Sequence, residues 1–307
     1  MKFVKGFTFR LAPSENQSFS GAESKESLRL LKESTNCDTI MLAAMAFQDT
    51  PFSEIIDYKG EHFPTDEELT EIINYAGSLG LRVFLKPMVN CRNGVWRAHI
   101  NFFDREVPCE PKWSHWFSNY ENYILHMAKI AQNTGCEMLS VGCELVQTER
   151  KEQYWRKLIC EVRKIYSGLI TYNTDKYQES EILWWDAVDV ISSSGYYPIN
   201  EWSENLDRIE AVVKKFNKPF FFAECGCPCR TGSSNVPNDW AFEGALNIFE
   251  QEKYYEKMFE ECNKKAWIEG YCCWDWISSY TDIPVMNDGY SVYKKPACKV
   301  IRSFYGQ

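Results

Sequence analysis

Residues 206–226 read LDRIEAVVKKFNKPFFFAECG, an amphipathic segment followed at once by a short apolar run. Apolar residues recur on one helix face at Leu206, Ile209, Val213 and Phe216. The four apolar residues that begin at Phe220 have the character of a buried strand, and Glu224 closes it. Burying an ionised carboxylate without a partner is costly, so this glutamate is paired, solvated at the strand end, or part of a functional site. We expect that it belongs to a functional site.

The same alternation of apolar run and amphipathic segment occurs eight times along the chain. The predicted strands are Phe3–Phe9, Thr39–Phe47, Arg82–Val89, Glu137–Gly142, Leu169–Asn173, Val188–Gly195, Phe220–Glu224 and Gly270–Trp276. Strands that alternate with helices run parallel, because each helix returns the chain to the same end of the sheet. The pattern predicts a (β/α)₈ TIM barrel as a single α/β domain over residues 1–307. An open doubly wound sheet is the alternative, although its glycine-rich nucleotide motif is absent.

Helix ends are marked in several places. Ser20–Glu23 and Thr65–Glu68 both have the spacing of a capping box. Gly80 predicts a left-handed stop for the second helix, and Gly168 predicts the end of the fourth.

Composition narrows the classes of function. The chain has 307 residues, 45% of them hydrophobic, and a net charge of −9, which argues against a nucleic-acid partner. No segment approaches the ~20 apolar residues of a membrane span. Thirteen cysteines in a long chain favour free thiols in the cytoplasm over a disulfide framework. Aromatic residues make up 15%, so some rings are available as platforms for ligands.

Two predicted strands end in glutamate. The fourth leads into Glu144 in SVGCEL, and the seventh into Glu224 in FFAECG. In a barrel the chemistry lies at the C-terminal ends of the strands, and strands four and seven face each other across the mouth. Two carboxyl groups in one cleft are what retaining hydrolysis of a glycosidic bond requires. The loops predicted to surround this site are residues 91–111 and 227–238.

A set of motifs in chain order resembles glycoside hydrolase family 113, the β-1,4-mannanases of clan A. The motifs are KGFTF, LKPMV, WRAHI, SVGCEL, TYNTD, SGYYP, FFAECG and CCWDW, and they span almost the whole chain. The resemblance implies Glu144 as acid/base and Glu224 as nucleophile. It also implies a β-1,4-linked manno-oligosaccharide or glucomannan substrate and no metal or other cofactor.

Seven further residues are candidates for substrate binding: Lys86, Trp96, Arg97, Asn173, Tyr196, Trp274 and Trp276. Trp274 and Trp276 are two apart on one strand and therefore share a face, where an indole can stack on a sugar; filling the barrel is the alternative. Tyr196 is expected to orient the nucleophile, with Tyr197 as the alternative.

The polar candidates for substrate binding also have purely structural explanations. Lys86 lies inside an apolar strand, so it meets a carboxylate or hydroxyls at the mouth, or forms a structural ion pair. Trp96 and Arg97 lie on a loop, where they hold a further sugar or are simply exposed. Asn173 is a candidate hydroxyl ligand.

Cys143 departs from the pattern of the clan, many members of which have Asn before the acid/base to bind the sugar 2-hydroxyl. A thiol is a weak donor, so that contact is made differently here. Cys225, Cys227 and Cys229 also raise the alternative of a zinc site with Cys143. The remaining rival functions are another clan A β-glycosidase (β-mannosidase, β-glucanase or β-glucosidase) and a sugar-binding barrel without catalysis.

Overall fold

Eight parallel strands close into a barrel, paired in chain order, in the computed structural model, which describes residues 1–12, 17–60, 63–279, 287 and 289–307. The strands are β1 (Val4–Arg10), β2 (Thr39–Gln48), β3 (Arg82–Cys91), β4 (Met138–Cys143), β5 (Leu169–Thr174), β6 (Val190–Gly195), β7 (Phe220–Cys225) and β8 (Ile268–Ile277). The predicted barrel is confirmed, and the open sheet is excluded because β1 pairs with β8.

Seven α-helices surround the strands within the described residues. They are α1 (Ala22–Thr35), α2 (Asp66–Ser78), α3 (Trp113–Thr134), α4 (Glu152–Arg163), α5 (Trp202–Phe216), α6 (Ile248–Cys262) and α7 (Pro296–Tyr305). None of these helices is long and apolar enough to cross a membrane.

The expected helix between β5 and β6 is not formed. That connection has only a 3₁₀ turn, Trp185–Ala187. Trp184 and Trp185 are fully buried there, and the Trp184 ring stacks on Trp155 of α4 with centroids 5.0 Å apart. Two large indoles therefore cover the part of the barrel that a helix would have covered.

Of the two predicted capping boxes, only the one at Thr65 is present. The Glu68 amide donates to Thr65 Oγ1 at 3.2 Å, and the Thr65 amide donates to Glu68 Oε2 at 2.8 Å. The prediction of a capping box at Ser20 is wrong, because Gly21 occupies the N-cap position and has no side chain to accept a hydrogen bond.

Both predicted helix stops can be compared with the structure. Gly80 follows α2 with a φ of 74°, a left-handed conformation that glycine adopts without strain. The prediction that α4 ends at Gly168 is wrong, because this helix already ends at Arg163.

Buried residues form layers inside and outside the barrel. The interior holds Val4, Met41, Phe84, Met138, Val190, Phe221, Ala223 and Cys272. A smaller cluster at the mouth contains Ala43, Met88, Cys143, Tyr196, Trp274 and Tyr290. The largest cluster fills the space between strands and helices. The mouth cluster packs against the polar groups of the site and supports them.

Strands β4, β7 and β8 each contain one extra residue near the C-terminal end. In β7, Phe222 pairs with Ser193, but Glu224 pairs with the very next residue of β6, Ser194. Such a bulge reverses the alternation of side chains. Ala223 faces the barrel interior, so without the bulge Glu224 would point outward to the helices. The bulge therefore turns its carboxylate into the mouth.

Gly142 of β4 leaves room for three buried aromatic side chains beside the site. An added Cβ would lie 2.7 Å from Tyr172 Cε2, 2.9 Å from the Tyr120 hydroxyl and 3.0 Å from Trp155 Cη2. We expect Gly142→Ala to lower the free energy of unfolding by about 1–3 kcal/mol, because close-packed rings cannot move aside freely. Urea unfolding measures this change.

Gly77 provides the matched control, since nothing lies within 4 Å of a Cβ added there. It lies inside α2, so Gly77→Ala is expected to be neutral or stabilising by up to about 1 kcal/mol. Equal effects of the two substitutions would contradict the packing argument.

Candidate active site

Glu144 directly follows β4, and its carboxylate is buried at the barrel mouth. Its φ of 51° is a left-handed conformation, which costs a residue with a side chain roughly 1–3 kcal/mol and is typical of functional sites. The Glu144 amide donates to the Asn173 carbonyl at 2.7 Å. Oε1 accepts from Ser194 Oγ at 2.7 Å, and Oε2 accepts from Arg97 at 2.7 Å and from Trp96 Nε1 at 3.3 Å. Donors from β6 and from the loop after β3 therefore orient this carboxylate.

Glu224 in β7 has the second buried carboxylate at the mouth. Lys86 and Cys143 both donate to Oε1, the thiol at 3.5 Å. The Tyr196 hydroxyl donates to Oε2 at 2.9 Å. Burial raises the pKa of Tyr196 well above its usual value, so this hydroxyl remains a donor. The structure thus unites the two alternatives for Lys86, because its ion-pair partner is the proposed nucleophile.

Tyr197 does not replace Tyr196 in this contact. Its hydroxyl donates to Glu179 at 2.5 Å, and its ring packs between the sheet and the helices. The residue that reaches Glu224 from the end of β6 is therefore Tyr196.

Two cations accompany the two carboxylates, one of them fully buried and the other largely so. Lys86 has no exposed surface and contacts Glu224, whereas Arg97 contacts Glu144. Burial by itself lowers the pKa of Lys86, but the negative charges of Glu224 and Glu144 raise it by more than burial lowers it, so its pKa lies above the usual value. The same balance of burial and acidic neighbours raises the pKa of Arg97. Both cations stay charged, which compensates for burying carboxylates.

Cys143 lies between the proposed nucleophile and β5. Its Sγ is 3.5 Å from Glu224 Oε1 and 3.7 Å from Asn173 Oδ1. Burial raises the pKa of the Cys143 thiol well above its usual value, so the group is a neutral S–H. One S–H donates to one acceptor at a time, and the carboxylate is the nearer of the two.

Hydrogen bonds connect Asn173 of β5 to the Glu144 carboxylate through Ser194. Asn173 Nδ2 donates to Ser194 Oγ at 3.0 Å, and Ser194 in turn donates to Glu144 Oε1. The Cys143 thiol lies between Asn173 and Glu224. Asn173 is fully buried, and its Nδ2 also donates to the Thr174 carbonyl at 2.9 Å. Its amide hydrogens are therefore engaged within the protein in this structure.

Trp274 of β8 forms part of the mouth, as predicted. Lys86 Nζ lies 5.7 Å and Arg10 Cζ 5.8 Å from the centroid of its ring. Trp274 Nε1 is buried and has no hydrogen-bond partner among the described residues. A bound hydroxyl group would satisfy this donor.

Trp276 does not share that face, so this expectation was wrong. Its Nε1 donates to the Ser27 carbonyl at 3.0 Å, and its ring packs edge-on against Phe7 outside the barrel. Across the β1–β8 ladder Phe7 pairs with Cys273 but Phe9 pairs with Trp276, which is one residue more on β8. The bulge reverses the alternation between Trp274 and Trp276.

Ser194 and the aromatic pair Trp240 and Tyr290 were missed from the sequence. Ser194 is the last of three consecutive serines at the end of β6 and opens the SGYYP motif, in which only the tyrosines were weighed as candidates. Trp240 is 65% exposed, and its ring lies 6.3 Å from Trp274 and 4.7 Å from Tyr290. Its position in the loop between β7 and α6, just beyond the predicted loop 227–238, was the available signal.

Cys225, Cys227 and Cys229 have separate surroundings. Cys227 contacts Ser233 at 3.3 Å, and Lys295 Nζ lies 3.0 Å from the Cys229 thiol. Among the residues that the structure describes, no group of three or more His, Cys, Asp or Glu side chains is arranged to hold a metal ion.

Glu149 is a buried acid behind the mouth. Its Oε1 accepts from the Tyr172 hydroxyl at 2.8 Å and from Thr174 Oγ1 at 2.9 Å. Burial raises the pKa of Glu149 to about 8 in spite of these two donors, and the nearby Asp175 and Glu179 add to the rise.

The raised pKa of Glu149 makes stability depend on pH. The folded state holds a proton that the unfolded state releases near its ordinary pKa of 4.5, so the stabilisation is complete below that pH and is lost as the pH rises through about 8. We expect Glu149→Gln, which keeps an acceptor at Oε1, to reduce the decline of unfolding free energy between pH 5 and pH 8 relative to wild type. Urea unfolding over a pH series measures both slopes. An unchanged slope in the variant would contradict the assignment.

Glycoside hydrolases typically have a closed barrel in which one glutamate from the fourth strand and one from the seventh meet at a common mouth. This chain has that arrangement and is a glycoside hydrolase. The model of Glycoside Hydrolase Family 113 matches residues 7–295. The chain belongs to this family.

Solved structures agree with this assignment. A GH113 β-1,4-mannanase is 55% identical over 100% of both chains, with a TM-score of 0.97. The GH113 β-mannanase AaManA from Alicyclobacillus acidocaldarius is 36% identical over 100% of this chain and 98% of its own, with a TM-score of 0.93. A β-glucuronidase from Ruminococcus gnavus shares only the fold, at 16% identity over 99% of this chain and 50% of its own, with a TM-score of 0.68. No protein with a curated description matches the chain.

Proposed function

We propose that this glycoside hydrolase is an endo-acting β-1,4-mannanase that cleaves mannan, manno-oligosaccharides or glucomannan with retention of configuration. The buried pair Glu144 and Glu224, each held by its own cation at one barrel mouth, carries this proposal. Two members of the family whose solved structures align with the whole chain are a β-1,4-mannanase and a β-mannanase. This similarity supports the choice of substrate.

Glu224 acts as the nucleophile in the first step. A carboxylate oxygen forms a bond to the anomeric carbon while the bond from that carbon to the departing sugar breaks, and Glu144 gives its proton to the departing oxygen. Lys86 and Tyr196 hold the attacking carboxylate in place through its two oxygens. Trp274 lies beside Lys86, where its indole serves as a platform for the reacting sugar.

Glu144 acts as the base in the second step. It takes a proton from water, the water oxygen bonds to the anomeric carbon, and the ester bond to Glu224 breaks. Two successive displacements on one carbon restore the original β configuration. Arg97 and Trp96 remain in contact with the Glu144 carboxylate and keep it directed at the departing or entering oxygen.

The cytoplasm is the proposed location. All thirteen cysteines are unpaired thiols, eleven of them buried, and a reducing compartment keeps them so. Short, soluble oligosaccharides then matter more as substrates than crystalline mannan.

A time course on mannohexaose and cellohexaose tests the proposal, with products separated by chromatography and the first anomer identified by NMR. We expect internal cleavage of mannohexaose and an initial β anomer. Release of only terminal mannose would assign an exo-acting β-mannosidase, and preference for cellohexaose would assign a β-glucanase. Binding without hydrolysis would make the chain a sugar-binding barrel.

A further inference from the structure

A buried lysine contacts a buried cysteine near the barrel mouth. Cys229 lies in the loop that follows β7, and Lys295 directly precedes α7. Cys229 has no exposed surface, and Lys295 is only 3% exposed. The Lys295 Nζ lies 3.0 Å from the Cys229 Sγ. Neither side chain has a part in the proposed hydrolysis, so the pair is free for another chemistry.

The contact is fixed from both sides. Lys295 Nζ also donates to the Ser291 carbonyl at 2.5 Å and to Asn287 Oδ1 at 3.1 Å. The Cys229 thiol lies 3.0 Å from the Asn287 carbonyl oxygen and 3.2 Å from that of Gly289. These partners hold nitrogen and sulfur at a separation of about 3 Å, the distance from which two well-oriented atoms react.

The surroundings of Cys229 favour a reaction with its neighbouring amine. The nearby thiol of Cys227 is directed elsewhere, because its Sγ lies 3.3 Å from Ser233 Oγ and 3.3 Å from the Pro228 carbonyl oxygen. Burial excludes glutathione and other large thiols, whereas hydrogen peroxide is close to water in size. The amine of Lys295 is therefore well placed to capture an oxidised Cys229.

We propose that Cys229 and Lys295 form a modification site, at which hydrogen peroxide leads to a covalent S–N bond between the two side chains. In the first step the Cys229 sulfur attacks peroxide. An S–O bond forms, the O–O bond breaks, and the released hydroxide takes the thiol proton and leaves as water, so that the thiol becomes a sulfenic acid.

The second step joins the two side chains. The Lys295 nitrogen, after losing one proton to solvent, bonds to sulfur while the S–O bond breaks. The departing hydroxyl takes a second proton from nitrogen and leaves as water, which gives a sulfenamide. Sulfur loses two electrons and peroxide gains two, so one equivalent of peroxide suffices.

The link connects the loop after β7 to a segment that packs on the mouth. Tyr290, which precedes Lys295 in this segment, belongs to the mouth cluster, and its ring lies 6.0 Å from the ring of Tyr196. Tyr196 in turn donates to Glu224. Because thiols reduce a sulfenamide, the link is a reversible covalent tie beside the catalytic centre. Its formation does not depend on which sugar the enzyme cleaves.

Mass spectrometry of the full-length wild type tests the link. Folded protein is treated with hydrogen peroxide and then unfolded, its remaining thiols are alkylated, and it is digested with chymotrypsin without reductant. Trypsin is unsuitable because Pro296 follows Lys295. We expect the peptides that contain Cys229 and Lys295 to be joined, with a mass two hydrogen atoms below their sum, and to separate in dithiothreitol. Cys298, on the same peptide as Lys295, should be alkylated, since a disulfide would cause the same loss of hydrogen.

Lys294→Arg is the matched control, because Lys294 is the exposed neighbour of Lys295. The control should form the joined peptides as the wild type does, whereas Lys295→Arg, which keeps the charge, should not. The proposal is overturned if the wild type gives no joined peptides, if their formation consumes two thiols, if they retain an oxygen atom, or if Lys295→Arg still forms them. The wild-type masses decide the question alone, so a Lys295 variant that fails to fold does not leave it open.

Discussion

Replacing Glu224 with glutamine is expected to lower kcat on mannohexaose by a factor of roughly 10⁴–10⁶, the scale on which loss of a covalent nucleophile acts. An amide cannot form the glycosyl ester, yet it has nearly the shape of the carboxylate and still offers an oxygen to Lys86 and Cys143. The protein should therefore fold normally. Steady-state kinetics and thermal melting measure the two quantities separately.

Azide makes the role of Glu224 visible in the products. In Glu224→Ala, a small anion can occupy the space of the missing carboxylate and attack an activated aryl β-mannoside from the same face. The expected product is an α-mannosyl azide, identified by NMR. Near-normal hydrolysis by either Glu224 variant, or no azide product with a folded protein, would remove this residue from the nucleophile role.

Replacing Glu144 with glutamine is expected to lower kcat on manno-oligosaccharides by roughly 10²–10⁴-fold, because the departing oxygen no longer receives a proton. The formation of the glycosyl-enzyme from a dinitrophenyl β-mannoside should be almost unaffected, since dinitrophenolate leaves without protonation. The ratio of the two rates therefore reports the acid role. Pre-steady-state release of dinitrophenolate is the measurement.

Azide distinguishes the two glutamates as well. In Glu144→Ala the nucleophile is intact, so azide attacks the glycosyl-enzyme in the second step and gives the β-mannosyl azide. Glu137→Gln is the control, because Glu137 lies just before β4 at the opposite end of the barrel, paired with Arg82 at 3.1 Å. It should retain wild-type rates on both substrates. Equal losses on both substrates in Glu144→Gln would contradict proton donation.

Much of the fold was predictable because local patterns repeat. The eight apolar runs match the eight strands to within about two residues, and the Thr65 capping box supplied a helix start with its own hydrogen bonds. Glu144 and Glu224 were found for a related reason. Each lies at the end of a buried run of mostly apolar residues, where an acidic group is conspicuous.

The remaining differences come from features that periodicity does not encode. The side of the sheet on which Trp276 lies depends on one extra residue in β8. The missing helix between β5 and β6 depends on Trp184 and Trp185 filling space against other elements. Ser194 takes part in the site because Glu144, which lies 50 residues earlier in the sequence, is folded against it. All three are tertiary effects, for which a single sequence carries little local signal.

The extra residues in β4 and β7 divide each of these strands into two lengths with different roles. Before the irregularity, side chains alternate between the barrel interior and the helices and stabilise the barrel. After it, the side chains face the mouth, where a ligand can bind. Selection can therefore alter the lower lengths to suit temperature, or the upper lengths to suit a new sugar, without either change disturbing the other. An engineer who transplants only the upper lengths, with their irregularities intact, should carry specificity from one barrel to another.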